Sequence, residues 1–156
     1  MVRQTHHKLI VYTDGGSRGN PGPAGIGVVI ANGQGQTIKK YSQDIGEKTN
    51  NEAEYEAVIF ALQKIRHLFG KQKTKDLELE IRMDSELVAR QLAGKYKIIE
   101  EKLFPLFIKI WNLRMDFGKI EFIEISREKN READRLANEA MDEKISKIKS
   151  QNAKLF

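Results

Sequence analysis

The sequence predicts an α/β fold in which a mixed sheet, antiparallel at first and parallel afterwards, carries helices on its faces. Three observations lead there. Segments 8–14 and 24–32 are β-branched and apolar, a more polar third segment follows at 36–44, and turn-forming residues separate the three, which makes an antiparallel meander. Two more strands, 77–84 and 119–126, each follow a stretch of helical periodicity, the pattern of strand–helix–strand crossovers. The chain has 156 residues, so 1–156 is expected to be one domain, with a polar C-terminal tail at about 150–156.

KLIVYTD (8–14) is apolar enough for a strand buried on both faces. Gly15 to Gly25 hold five glycines with Pro21 and Pro23, and read as a tight, shaped loop. AGIGVVIAN (24–32) is a second strand, and Asn32-Gly33 turns the chain into a third, more polar one. A helix then starts with Asn50 or Asn51 as its cap and ends at Gly70, and KQKTKD links it to the next strand. In LELEIRMD (77–84), Leu77, Leu79, Ile81 and Met83 share one face. Ser85 caps a short helix ending at Gly94. Another helix spans about 102–116, with Pro105 in its first turn and Gly118 as its stop. Its Trp111, with Phe104, Phe107 and Ile110, is read as core. After KIEFIEIS (119–126), a last helix runs from near Asn130 to about 149. The tail SKIKSQNAKLF either extends that helix, carrying Lys144, Lys147 and Lys149 toward nucleic acid, or frays.

Without cysteine the chain has no disulfides, thiolate metal sites or thiol nucleophiles. No uncharged apolar run approaches the ~18–20 residues that cross a bilayer, and MVRQTHHK lacks a signal-like stretch, so a soluble cytoplasmic monomer with no membrane partner is expected. The net charge of +5 and pI near 9.3 suit a polyanionic partner. Small lysine concentrations occur at Lys71, Lys73 and Lys75, at Lys95 and Lys97, and at Lys144 to Lys154, a pattern that solubility alone also explains.

Four carboxylates stand in places that carboxylates avoid. Asp14 and Asp84 end strands 8–14 and 77–84, and ligands of α/β sheets gather beyond the carboxyl ends of strands. Glu54 falls near the centre of the apolar stripe Ala57, Val58, Ala61, Leu62, Ile65, Leu68 and Phe69, whereas Glu52 and Glu56 point outward. Asp134 lies at the edge of the stripe Ala133, Ala137, Ala140, Met141, Ile145 and Ile148. Taken alone, Asp14 and Asp84 also suit capping of the turn or helix that follows, and Glu54 and Asp134 also suit a first-turn acid beside the helix dipole. Converging, the four would repel one another unless cations neutralised them. An oxygen-only donor set without nearby His or Cys selects Mg²⁺ or Mn²⁺, and carboxylates sharing two such ions are the machinery of in-line phosphoryl transfer.

YTDGGSRGNPGPAGIG, TNNEAEYEA, RMDSELV and NREADRLANEA resemble, in order, the four signature blocks of type 1 ribonuclease H, and span about residues 8–149. The resemblance implies a ribonuclease H-like fold: a mixed five-stranded sheet, three antiparallel strands then two parallel, with helices on both faces. It implies hydrolysis of the RNA strand of RNA–DNA hybrids to 5′-phosphate and 3′-hydroxyl ends with two Mg²⁺ ions, Mn²⁺ being a substitute. Asp14 would bridge both ions, Glu54 and Asp84 would ligate the one nearer the leaving group, and Asp134 the one nearer the water. Glu54 would also sense the ribose 2′-hydroxyl. Asn20, Thr49, Asn50 and Asn51 match positions that contact the hybrid, chemistry that suits short amides and hydroxyls. Arg18 is placed to reach a phosphate, or to stand solvated in its loop.

Two departures stand out. The family's His upstream of the last catalytic Asp has no counterpart in SREKNREAD (126–134), leaving Arg127 or Glu128 as stand-ins. The basic protrusion that grips DNA is reduced to GKYKIIEEK (94–102), as in a handle-less branch, with Lys95, Tyr96 and Lys97 to do part of its work or to form an ordinary linker. Double-stranded RNA stays open as a second substrate. The rival functions are a non-catalytic nucleic-acid-binding module, which would gain nothing from clustered acids, and a DNA nuclease of the wider superfamily.

Overall fold

The computed structural model describes residues 7–154. His6, most of MVRQTHHK and the last two tail residues lie outside that range. β1 (His7–Ser17), β2 (Gly22–Asn32), β3 (Thr37–Lys48), β4 (Leu77–Met83) and β5 (Lys119–Glu124) form one sheet in the order β3-β2-β1-β4-β5. β2 pairs antiparallel with β1 and β3, while β4 pairs parallel with β1 and β5, the mixed arrangement expected. The helices are α1 (Asn50–Phe69), α2 (Lys71–Thr74), α3 (Glu86–Leu92), α4 (Phe104–Arg114) and α5 (Arg131–Lys154).

Side-chain alternation builds the main core on one face. Leu9 and Val11 of β1, Ile26, Val28 and Ile30 of β2, and Leu77, Leu79, Ile81 and Met83 of β4 meet α1, α3 and α4. α5 covers β2 and parts of β1 and β3 on the opposite face. Its small residues Ala133, Ala137 and Ala140 allow a close approach, and Gly27 completes it: a Cβ there would lie 2.0 Å from the Ala133 carbonyl oxygen.

Several elements differ from the sequence reading. Most of the expected glycine loop is strand, because Gly15, Gly16 and Ser17 pair with Ile26, Gly25 and Ala24, and residues 18–21 alone make the turn. These glycines serve close packing more than turning. A Cβ on Gly15 would stand 2.2 Å from the Ala53 carbonyl oxygen, so only glycine lets α1 seat on β1. The cap of α1 is Thr49 rather than Asn50 or Asn51. Its hydroxyl accepts from the Glu52 amide and the Glu52 carboxylate accepts from the Thr49 amide, so Glu52 closes a capping box instead of standing free in solvent. KQKTKD forms the short α2, and α5 reaches Lys154, past the expected end at 149.

Burial also moves. Leu68 is exposed because the last turn of α1 directs Phe69 onto the core. Tyr55, expected off the stripe, is buried where α3 covers that flank, and its hydroxyl donates to Gln91 Oε1. Trp111 and Phe104 are about half exposed, against expectation: α4 turns Ile110 and Leu113 inward and, among the described residues, nothing covers its other side. The handle region is a short connection, residues 93–100, without a helix. No helix among the described residues is long and apolar enough to cross a membrane.

Candidate active site

The four carboxylates come from four elements whose packing aims them at one place. In the parallel β1–β4 pair Tyr12 lies beside Arg82, so two residues further on Asp14 and Asp84 leave adjacent strand ends at the same level. Seating α1 over Gly15 brings Glu54, the fifth residue of the helix, against Asp14. Asn130, itself buried, donates from Nδ2 to the Thr13 carbonyl at 2.9 Å and so pins the start of α5, with Asp134, beside β1. Oxygens of Asp14, Glu54 and Asp84 lie within 4.8 Å of one another, and Asp134 lines the same cleft of about 370 Å³.

This convergence is electrostatically costly for the protein alone. Burial raises the Asp14 pKa to about 8, helped by the charges of Asp84 and Asp134. Burial likewise lifts Glu54 well above the carboxylate range, with Asp14 and Asp84 adding to it. Asp84 is also raised by burial, although the Arg127 guanidinium partly opposes this. Glu54 Oε2 is buried and has no hydrogen-bond partner. An orphaned carboxylate oxygen beside two further acids, with no nitrogen or sulfur donor, fits a hard divalent cation.

Of the residues expected to touch substrate, Arg18, Asn50 and Asn51 line this cleft, whereas Asn20, Thr49, Lys95 and Lys97 do not, and several of them are tied to one another. Asn20 Oδ1 accepts from the Asn50 amide, and Asn50 Oδ1 accepts from the Ser17 amide, both at 2.9 Å. Asn51 donates to Glu100 Oε1 at 2.7 Å. Arg18 is not a free loop arginine: it donates to Asn138 Oδ1 and Asp142 Oδ1, each at 2.9 Å, and touches the Met141 sulfur. Lys95 and Lys97 are exposed and, among the described residues, lie in no ion pair. Their loop is held by Tyr96, whose hydroxyl accepts from Arg90 and donates to Glu86. Asn138 was missed from sequence. It lines the cleft and donates to the Asp134 carbonyl, and its position one helical turn beyond Asp134 was the available signal.

A larger cleft, about 700 Å³, lies at the other end of the sheet among Leu9, Ile38, Phe69 and Leu77, and Asp76 is its one acid. It offers no comparable chemistry.

Comparison with known proteins places the chain. Residues 12–140 match the family model described as reverse transcriptase-like. The LC11 ribonuclease H1, isolated from compost by a metagenomic approach and solved in complex with an RNA/DNA hybrid, is 51% identical and superposes with a TM-score of 0.83 over 88% of this chain and 99% of that one. The chain belongs to the type 1 ribonuclease H family. Ribonuclease HI of the archaeon Halobacterium salinarum is 39% identical over 136 residues, covering 87% of this chain and 65% of that protein. A bifunctional protein of Mycobacterium tuberculosis is 40% identical over 136 residues, 86% of this chain. This chain spans only 36% of that relative's length. As a type 1 ribonuclease H domain it therefore corresponds to part of some longer proteins.

Proposed function

We propose that this ribonuclease H domain is a metal-dependent endonuclease that hydrolyses the RNA strand of RNA–DNA hybrids, leaving 5′-phosphate and 3′-hydroxyl ends. The observation that carries the reading is the orphaned, buried oxygen of Glu54 within reach of Asp14 and Asp84, a donor set that suits a hard divalent cation. The hybrid bound to the LC11 relative supports the substrate class.

Asp14, Glu54, Asp84 and Asp134 would hold two divalent ions, Mg²⁺ or in its place Mn²⁺. Such ions supply Lewis-acid activation of water and charge stabilisation at the leaving oxygen. The protein's own part is positional. Asn130, Gly15 and the α1 capping box hold the carboxylates in place before substrate arrives, so little reorganisation is left for the reaction. Arg127 lines the same cleft and supplies the positive charge nearest Asp84, which suits it to the place of the family's absent histidine. Asn20, Thr49, Asn50 and Asn51 present amides and a hydroxyl to the minor groove, and Lys95 and Lys97 attract the DNA phosphates in place of a protrusion. Arg18 joins them only by exchanging its α5 partners for a phosphate.

The test is cleavage of an end-labelled RNA–DNA hybrid. Activity is expected to vanish in EDTA, to return with Mg²⁺ or Mn²⁺, and to spare an all-DNA duplex. Duplex DNA cut as fast as hybrid would favour the wider nuclease superfamily, and binding without product would make the domain a non-catalytic module. A double-stranded RNA arm settles substrate breadth.

A further inference from the structure

The second half of α5 is a basic segment that the carboxylate cleft does not use. Residues 144–154 carry Lys144, Lys147, Lys149 and Lys154 and no acid, a charge of +4 against +5 for the whole chain. Asp142 and Glu143 stand at the root of the segment, where Asp142 is already paired with Arg18 at 2.9 Å. Lys144 pairs with Asp44 of β3 at 3.4 Å and anchors the segment to the sheet. Lys147, Lys149 and Lys154 are exposed and, among the described residues, lie in no ion pair. Close contacts with β2 give the direction of the helix. Ala133 passes over Gly27 and Ala140 over Gly25, so α5 runs toward Gly22, where β2 begins and antiparallel β1 ends. That end of the sheet holds Asp14 and the turn 18–21, whose Arg18 reaches α5 at Asn138 and Asp142. From Asp142 to Lys154 the helix continues for about 18 Å beyond this contact. The family match stops at residue 140, so the extension lies outside the matched nuclease core.

We propose that residues 144–154 form a second contact surface for the hybrid, an arm on which Lys147, Lys149 and Lys154 meet backbone phosphates remote from the cut. The inference rests on the nuclease reading and extends its footprint. Along the helix axis Lys147 lies about 20 Å and Lys154 about 30 Å from Asp134, so the phosphates they meet belong to nucleotides several steps from the scissile one. Exposed lysines on a helix that leaves the cleft end of the sheet suit a polyanion whose charge repeats along its length, and they hold it without reading bases. A membrane surface would need an apolar face as well. Ile145 and Ile148 are half-buried, and Ser146, Ser150, Gln151 and Asn152 fill the exposed positions between the lysines, which leaves little to enter a bilayer.

The experiment is steady-state cleavage by the full chain of two end-labelled hybrids, about 10 and about 24 base pairs long and cut at the same central sequence, over roughly 50–200 mM salt. The variant replaces Lys147, Lys149 and Lys154 together with glutamine. Its KM for the longer hybrid should rise about five- to twentyfold at roughly 100 mM salt, and the slope of log KM against log salt should fall by about 2–3. Its kcat, and its KM for the shorter hybrid, should stay within about twofold of the parent, because the shorter hybrid ends before the arm. Circular dichroism should match the parent, since all three side chains are exposed. Arginine at the same three positions should keep the parent's KM and salt slope. An unchanged KM for the longer hybrid overturns the proposal and leaves the lysines as solubilising charge. An equal rise on both hybrids overturns it too, since the change would then act through the cleft or the fold. So does binding to phosphatidylserine vesicles that the glutamine variant loses while its hybrid KM stays put. A parent that cuts neither hybrid would sink the nuclease reading instead, and anisotropy titration of the longer hybrid with parent and variant would still decide the arm.

Discussion

Asp14 is where the cost of assembling four acids can be measured. Its carboxyl binds a proton up to about pH 8 in the fold but only near 3.8 when unperturbed. The neutral acid is therefore favoured by folding. In chelated protein, the stability this group contributes is full below pH 3.8 and is lost as pH rises through about 8. Chemical denaturation in EDTA should show the unfolding free energy falling between pH 5 and 9, by on the order of a few kcal/mol, because each tenfold difference in proton affinity is worth about 1.4 kcal/mol. Asp14→Asn should flatten that slope, match or exceed the parent in stability at pH 9, and reduce hybrid cleavage at least about 1,000-fold while keeping hybrid affinity. Stability that climbed with pH in the chelated parent would contradict the repulsive cluster. Gly15→Ala tests placement rather than charge. Its methyl would meet the Ala53 carbonyl at 2.2 Å, so α1 must lift. A loss of about 2–4 kcal/mol in urea unfolding is expected, with cleavage falling further than stability because Glu54 moves with the helix.

At the scale of elements, the first turn of α1 leads directly into Glu54 and is held by Thr49 and Glu52 acting reciprocally. Thr49→Ala should cost about 1 kcal/mol by denaturation, and Thr49→Ser should recover most of it. Failure of the serine to rescue would mean that the threonine methyl, not the cap, matters. The start of α5 is held from two sides, by Asn130 on the Thr13 carbonyl and by Arg18 on Asn138 and Asp142. Arg18→Ala should raise the Mg²⁺ concentration that half-saturates cleavage about two- to tenfold, with a smaller change in maximal rate, if its work is to steady Asp134. A phosphate contact would instead raise KM for hybrid and weaken its salt dependence. The strands were readable because alternation survives burial on one face, as in β4. The glycine segment was misread because glycine suits both a turn and the close passage of a helix over a strand, and only the partner backbone distinguishes them.

For the molecule as a whole, the mixed sheet and its five strands were legible along the chain, since alternation and the type of connection are local features, and each acid stood out against its own local pattern. Trp111 was not. Periodicity marks a helix as apolar but does not say how many neighbours cover it, and among the described residues α4 is covered on one side. Arg18 was not legible either, because its partners on α5 lie more than a hundred residues away. What the sequence by itself determined is the five strands, the longer helices and the residue types offered to the site: alternation and helical periodicity are local, and an oxygen-only donor set is fixed by residue identity. Tertiary structure alone decided which oxygen of Glu54 is left without a partner, which side chains brace the cleft and which apolar face remains in water. Those properties depend on distances between segments remote in the chain, and pairwise packing sets such distances only once every layer is in place.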